Sequence, residues 1–301
     1  MAQTGFIQSL YRGIRERSSD FRFDVFAAQF LPVPPPAEQE RIVAYLDEKR
    51  AKIDRLIELK EREIELLNEK KQAMISRVVT RGLDPNVELV DSGVDWIGQV
   101  PRGWNVLPLK SNFYDRKEFF NGQEELIILS LIKDEGVIPY EEKGNVGNKS
   151  KDDISQYKVA RCGDIVLNSM NVIIGSVGIS AYDGYISPAY YSLAPRRPSV
   201  VTSYYDYLFH TPKLQRAIRG LAKGIMEIRL RVSQGNLLAV KFPEPPYAEQ
   251  REIVAYLDKA TAKIDAAIAA IEKSIGLLKE RRTRLVSDAV TGRIDLREAV
   301  A

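Results

Sequence analysis

The chain has 301 residues, of which 45% are apolar and 28% charged, with a formal net charge of +3. This is the make-up of an ordinary folded protein, long enough for one large or two ordinary domains. It excludes a polycation that coats nucleic acid, and no run approaches the ~20 apolar residues that a membrane span needs. A single cysteine, Cys162, excludes an internal disulfide framework and a cysteine zinc site. It reads as a small buried apolar residue in a reducing cytosol and, with no apolar leader at the N-terminus, the expected location is cytoplasmic.

Residues 1–36 read as a short helix, a basic turn and a second short helix before a proline cluster. The same order of features recurs in LQRAIRGLAKGIMEIRLRVSQGNLLAVKF, so residues 1–36 look like the remnant tail of a domain. Pro34, Pro35 and Pro36 then force an extended approach and pre-set the first turn of a helix. From Ala37 to about Val79 there is neither Gly nor Pro, which predicts one helix of about 43 residues, roughly 64 Å long. Gly82 and Pro85 end it, so the first helical region is assigned to residues 37–84.

That region returns. Moving forward 211 positions without a gap aligns Ala37–Asp84 with Ala248–Asp295, and 23 of the 48 positions are identical. Both copies carry apolar residues at alternating steps of three and four. In the first they are Leu46, Ile53, Ile57, Ile64, Leu67 and Met74; in the second, Leu257, Ile264, Ile268, Ile271, Ile275, Leu278 and Leu285. Such a stripe is the seam of a coiled coil, and each copy is the natural partner of the other, within one chain or between two.

Between the copies, residues 85–246 alternate short apolar runs with Gly-rich turns: ELIILSLI, GVIPY, YKVARCGDIVLNSM, NVIIGSVGISAYDG and YISPAYYSLAP. They predict a curved, mostly antiparallel β unit, followed by helices in SYYDYLFHTPKLQRAIRGLAKG and a last strand pair. The fold class is therefore α+β: a globular α/β domain flanked by two long helices in an antiparallel coiled coil, the second helix and C-terminal tail occupying residues 247–301.

No catalytic constellation emerges. The one histidine, His210, sits at a predicted helix end without a second metal ligand or a nucleophile motif. No phosphate-cradling glycine motif is present. Pro245-Pro246-Tyr247 superficially matches the Asn-Pro-Pro-Tyr of adenine methyltransferases, but Glu244 stands where the amide belongs, and the prolines read as a helix entry. The chain reads as a non-enzyme without a metal or cofactor of its own.

PPPAEQERIVAYLD and PPYAEQREIVAYLD, each followed by AKID and a long helix, resemble the conserved regions of the DNA specificity subunits of type I restriction-modification systems. VDWIGQVPRGW, GVIPY, YKVARCGDIVLNSM and GYISPAYYSL look like parts of that family's target recognition domain. The resemblance implies a sequence-specific, non-catalytic DNA-binding subunit that directs methyltransferase and nuclease subunits to a split target. Those partners would supply S-adenosylmethionine, ATP and Mg. The family pattern has two recognition domains. This sequence holds one, which implies a truncated or half-subunit form that dimerises to restore the second. The alternative is a truncated coiled-coil remnant that binds the methyltransferase without directing it.

For such a function the basic segment Tyr204–Arg231 offers phosphate contacts: Lys213, Arg216, Arg219, Lys223, Arg229 and Arg231. Polar loops offer base readers: Asn145, Asn148, Lys149 and Lys151, with Arg116 and Lys117 less favoured. Tyr190 and Tyr191 read as core, and Asn168 and Met170 as fold-stabilising.

Overall fold

The computed structural model of the chain describes residues 23–30, 33–122, 125–133, 135–144, 154–222 and 231–296. A short helix α1 (Phe23–Ala27) precedes the long helix α2 (Pro36–Arg81). Pro36 opens α2 as the sequence predicts, and Gly82, at φ +72°, closes it by donating its N–H to the Val78 carbonyl. A side chain at Gly82 would be strained and would meet Glu249 at 2.9 Å.

The chain divides into two compact units, residues 1–68 with 264–301, and residues 69–263. In the first, α2 runs antiparallel to the last helix, α6 (Tyr247–Val290). Ile42 and Leu46 cluster with Ala289 and Leu296, Asp54 pairs with Arg282 at 2.6 Å, and Ile53 and Ile57 cluster with Ile275. Rising numbers on one helix thus meet falling numbers on the other. The two copies of the repeat pair within one chain, a choice that periodicity alone left open. Ile64, Ile271, Leu278 and Leu285 are partly buried in the same seam, and Leu67, Ile264 and Ile268 are half-buried. The remaining seam residues lie elsewhere: Leu257 is buried in the core of the second unit, and Met74 packs against it.

The second unit holds the β structure. After the small pair β1 (Leu89–Asp91) and β2 (Gln99–Pro101) come β3 (Asn105–Pro108) and β4 (Phe113–Asp115). Next follow β5 (Ile127–Ile132), β6 (Gly136–Pro139), β7 (Lys158–Ala160) and β8 (Ile165–Asn168). The series ends with β9 (Val177–Ile179), β10 (Gly184–Ile186) and β11 (Tyr190–Pro195). They form two four-stranded sheets, β6-β5-β10-β7 and β4-β11-β8-β9, in which β10 and β5 alone run parallel. Strand β8 is buried along its whole length because both its faces are covered. Val166 points toward the other sheet with Leu129, Leu131 and Ile186, whereas Ile165 and Leu167 face the main core. The period-two alternation of β structure therefore assigns one strand to two cores.

Helices α3 (Thr202–Phe209), α4 (Pro212–Leu221) and α5 (Gln234–Ala239) cover the second sheet. The sequence predicts a strand pair after α4. Residues 223–230 of that stretch lie outside the described residues; the described ones form helix α5, capped by Ser233 accepting from the Asn236 N–H, and strand β12 (Lys241–Glu244), which pairs back to β3. The Ser cap offers the chain a helical start, and an antiparallel two-stranded edge tolerates Pro243.

The recognition-like domain grips the helices through side chains of its own. Tyr204, fully buried, donates to the Val79 carbonyl at 2.8 Å, and Trp104 Nε1 donates to Glu249 Oε2 at 2.9 Å. Gln250 accepts from the Val201 N–H and donates to the Pro245 carbonyl, and Tyr207 donates to Asp258 at 2.7 Å.

Gly184 is the tightest point of the β unit. A Cβ there would lie 2.5 Å from Leu129 Cγ and 2.7 Å from the Ile127 carbonyl oxygen, inside the parallel pair. Backbone and a buried leucine cannot both yield, so Gly184→Ala is expected to cost about 3 kcal/mol. Urea denaturation measures it; a midpoint matching the parent would contradict the packing.

Candidate nucleic-acid interface

Helix α4 is built with two faces. Leu214 and Ile218, four residues apart, are fully buried, while Lys213, Arg216 and Arg219 are exposed. Lys213 and Arg216 line an open groove of about 820 Å³ together with Lys241 from β12 and Asn236 from α5. Its floor is apolar, formed by Val94, Trp96, Ala217, Leu221, Ala239 and Val240, and among the described residues Asp95 is its one carboxylate. Three cations over an apolar floor fit a polyanion whose sugars or bases present apolar surface.

The structure places the other predicted residues as follows. Arg219 is on α4 but does not line the groove. Exposed Arg231 lies close enough to Lys158 to lower that lysine's pKa, whose main cause is burial. Lys117 is exposed beside Asp115, whose carboxyl is pushed up by burial against the pull of Lys158. Lys223, Arg229, Asn145, Asn148, Lys149 and Lys151 lie outside the described residues.

Arg116 stands in an ion-pair network that holds three of its five N–H donors: Nε and Nη2 pair with the two oxygens of buried Asp164 at 2.6 and 2.9 Å, and Nη1 pairs with Glu118. The hydrogen bond to Asp164 raises its pKa further. Glu118 also holds Arg161, which reaches Asp183. Arg116 thereby ties β4, β8 and the turn before β8 together. Cys162, read as buried, is exposed in that turn, with its N–H donating to Asp183. The turn brings the backbone to the surface and takes the small side chain with it.

Tyr191 is buried and donates to the Val232 carbonyl at 3.1 Å; Tyr190 is half-buried and accepts at its carbonyl from Lys158. Asn168 accepts from the Met170 N–H in a local turn. His210 occupies the C-cap of α3, with Nε2 3.6 Å from Asp206. Gln250 donates from its side chain to the Pro245 carbonyl, tying the proline entry to the first turn of α6. Among the described residues no group of His, Cys, Asp and Glu is arranged to hold a metal ion. No described helix is long and apolar enough to cross a membrane.

Sequence reasoning missed Lys241 and Asn236. Both lie outside the basic run: strand β12 carries Lys241, and Asn236, on α5, donates to the Leu221 carbonyl at the end of α4. It also missed Arg77 and Arg81, one turn apart near the end of α2, among the mixed charges of the long helix. With Ser76, Thr80, Trp96, Thr211 and Lys213 they line a second, smaller pocket of about 210 Å³.

Comparison with known proteins agrees with this picture. The family described as type I restriction modification DNA specificity domain matches residues 108–275. A putative type I restriction enzyme MjaX specificity subunit from Methanocaldococcus jannaschii is 24% identical over 268 residues, covering 88% of this chain and 59% of that protein. The type I restriction enzyme MjaVIII specificity subunit of the same organism is 24% identical over 279 residues, 88% of this chain and 62% of its own. The chain thus spans about three-fifths of the length of these relatives. Among solved structures, a chain from a study of complex assembly in a type I R-M system superposes with a TM-score of 0.65 at 20% identity, covering 96% of this chain and 67% of that one. The HsdS subunit from Thermoanaerobacter tengcongensis gives 0.53 at 21%, covering 97% and 68%. At these identities the superpositions speak for the fold.

Proposed function

The chain belongs to the type I restriction modification DNA specificity family, and from that premise we propose that it reads one half of a split DNA target for partner methyltransferase and nuclease subunits. Its groove of Lys213, Arg216 and Lys241 holds the backbone, and polar loops of the same domain read base edges. S-adenosylmethionine, ATP and Mg belong to the partners, and catalysis with them.

One observation carries the split-target reading. The domain grips its helices through Val79, Glu249, Gln250 and Asp258. The residues equivalent to these under the 211-residue repeat are Val290, Glu38, Gln39 and Asp47, all identical. Gln39 even makes the same hydrogen bond, donating to the Pro34 carbonyl at 2.8 Å as Gln250 does to Pro245. Yet Gln39 is exposed where Gln250 is only 2% exposed. A docking surface kept in kind but uncovered supports a second recognition domain seated there, contributed by a second copy of the chain.

The test is selection of bound duplexes from a random-sequence library, by the chain alone and with the methyltransferase. The expected result is a motif of two specified halves around an unspecified spacer, symmetric where two copies supply both readers. An unenriched pool in both conditions would sink the reading.

A further inference from the structure

The smaller pocket lies between the end of α2, the turn from β1 to β2 and the start of α4. Arg77 and Arg81, at i and i+4, point like charges into one short stretch of helix surface, a mildly unfavourable arrangement without a counter-ion. Lys213 adds a third cation, and none of the described residues lining the pocket is acidic. Cations near a helix C-terminus are ordinarily accounted for by the helix dipole. The dipole does not account for Trp96. This residue lines the pocket, is 9% exposed, and its buried indole N–H meets no acceptor. A buried donor without a partner is costly, so it points to an acceptor that binds there. The N-cap residue of α4, Thr211, turns its hydroxyl back to the Leu208 carbonyl and leaves the first turn of that helix without a side-chain cap.

We infer that this pocket is a socket for one DNA backbone phosphate, set at the edge of the groove. The inference rests on the DNA-binding reading given above. Cations and N–H donors without an acid select an oxyanion. The pocket shares Trp96 and Lys213 with the groove, so the cations run on as Arg77, Arg81, Lys213, Arg216 and Lys241. A continuous row matches a polymer of regularly spaced anions better than a lone carboxylate from a protein partner. The smaller pocket has room for a single phosphodiester group with its waters, which fixes the register of the backbone against the domain.

The test uses the full chain and a short fluorescein-labelled duplex of random sequence, followed by anisotropy between about 50 and 200 mM salt. Arg77→Ala with Arg81→Ala is expected to weaken binding about tenfold and to lower the slope of log affinity against log salt by about one, since one phosphate loses its cations. Both side chains are exposed, so the fold should be kept. Trp96→Phe removes the donor and keeps most of the ring; a loss of several-fold with an unchanged slope is expected, since no charge is removed. Parent-like binding by both variants overturns the socket, and if the parent still selects a motif the DNA reading survives. Loss of methyltransferase association with DNA affinity intact would put an acidic protein side chain in the pocket, and overturns it too. A parent that binds no duplex, alone or with its partner, overturns both.

Discussion

Replacing Asp164 by Ala is expected to destabilise the chain by about 3–5 kcal/mol, the range for breaking one side of a buried ion pair. Its side chain is 2% exposed and takes two bonds from Arg116, one from the Ser192 hydroxyl at 2.8 Å and one from the Arg161 N–H at 3.1 Å. Removal leaves a guanidinium only 18% exposed with one remaining partner, Glu118, and strips the turn before β8 of its anchor. In a unit of about 200 residues each kcal/mol moves the midpoint by about 2–4 °C, so a drop of about 10 °C is expected. Calorimetry measures it. The double substitution Asp164→Leu with Arg116→Met should recover much of the loss, because the cost lies in the stranded charge rather than in a missing attraction. A single variant within about 1 kcal/mol of the parent would show that the network is decoration.

The same network shows where sequence reading stops. The long helices were legible because their signals are local: Pro36 at entry, Gly82 at exit, and a heptad stripe that neighbours in sequence write together. The repeat itself announced that two helices bracket one domain. Arg116 carried no such local signal. In YDRKEFF it looks like a free cation on a polar turn, and its partner stands 48 residues away. Lys241 is the converse, a lone lysine in strand β12 that lines the groove with α4. The segment of α5 drew two readings, a short helix in the echo of residues 1–36 and part of a strand pair, because LLAV is equally apolar in either period; the deciding cap of Ser233 is a single side chain. The pairing of Glu38, Gln39 and Asp47 with Glu249, Gln250 and Asp258 was present in the alignment, but its meaning needed the contacts that only the second copy makes.

Substituting Lys213, Arg216 and Lys241 together by Ala should weaken duplex binding by about a hundredfold at moderate salt and reduce the salt slope by roughly 2.7, at ~0.9 for each phosphate released. The loss should be the same for every sequence, since phosphate contacts fix position and carry no base information. A motif selected by the parent would therefore be selected again by the variant, only more weakly. All three side chains are exposed, so thermal stability should stay within about 0.5 kcal/mol of the parent. These expectations separate the groove from the base-reading loops, whose substitution should relax the motif and leave the slope nearly unchanged. They also order the two cavities: combined with Arg77→Ala and Arg81→Ala, the slope should fall by roughly 3.6, because four phosphates rather than three lose their cations. If the triple variant binds within twofold of the parent with the same slope, DNA does not run through the groove. The positive row along α4 and β12 would then be a solvated face, and the phosphate path would have to be sought on the opposite side of the domain.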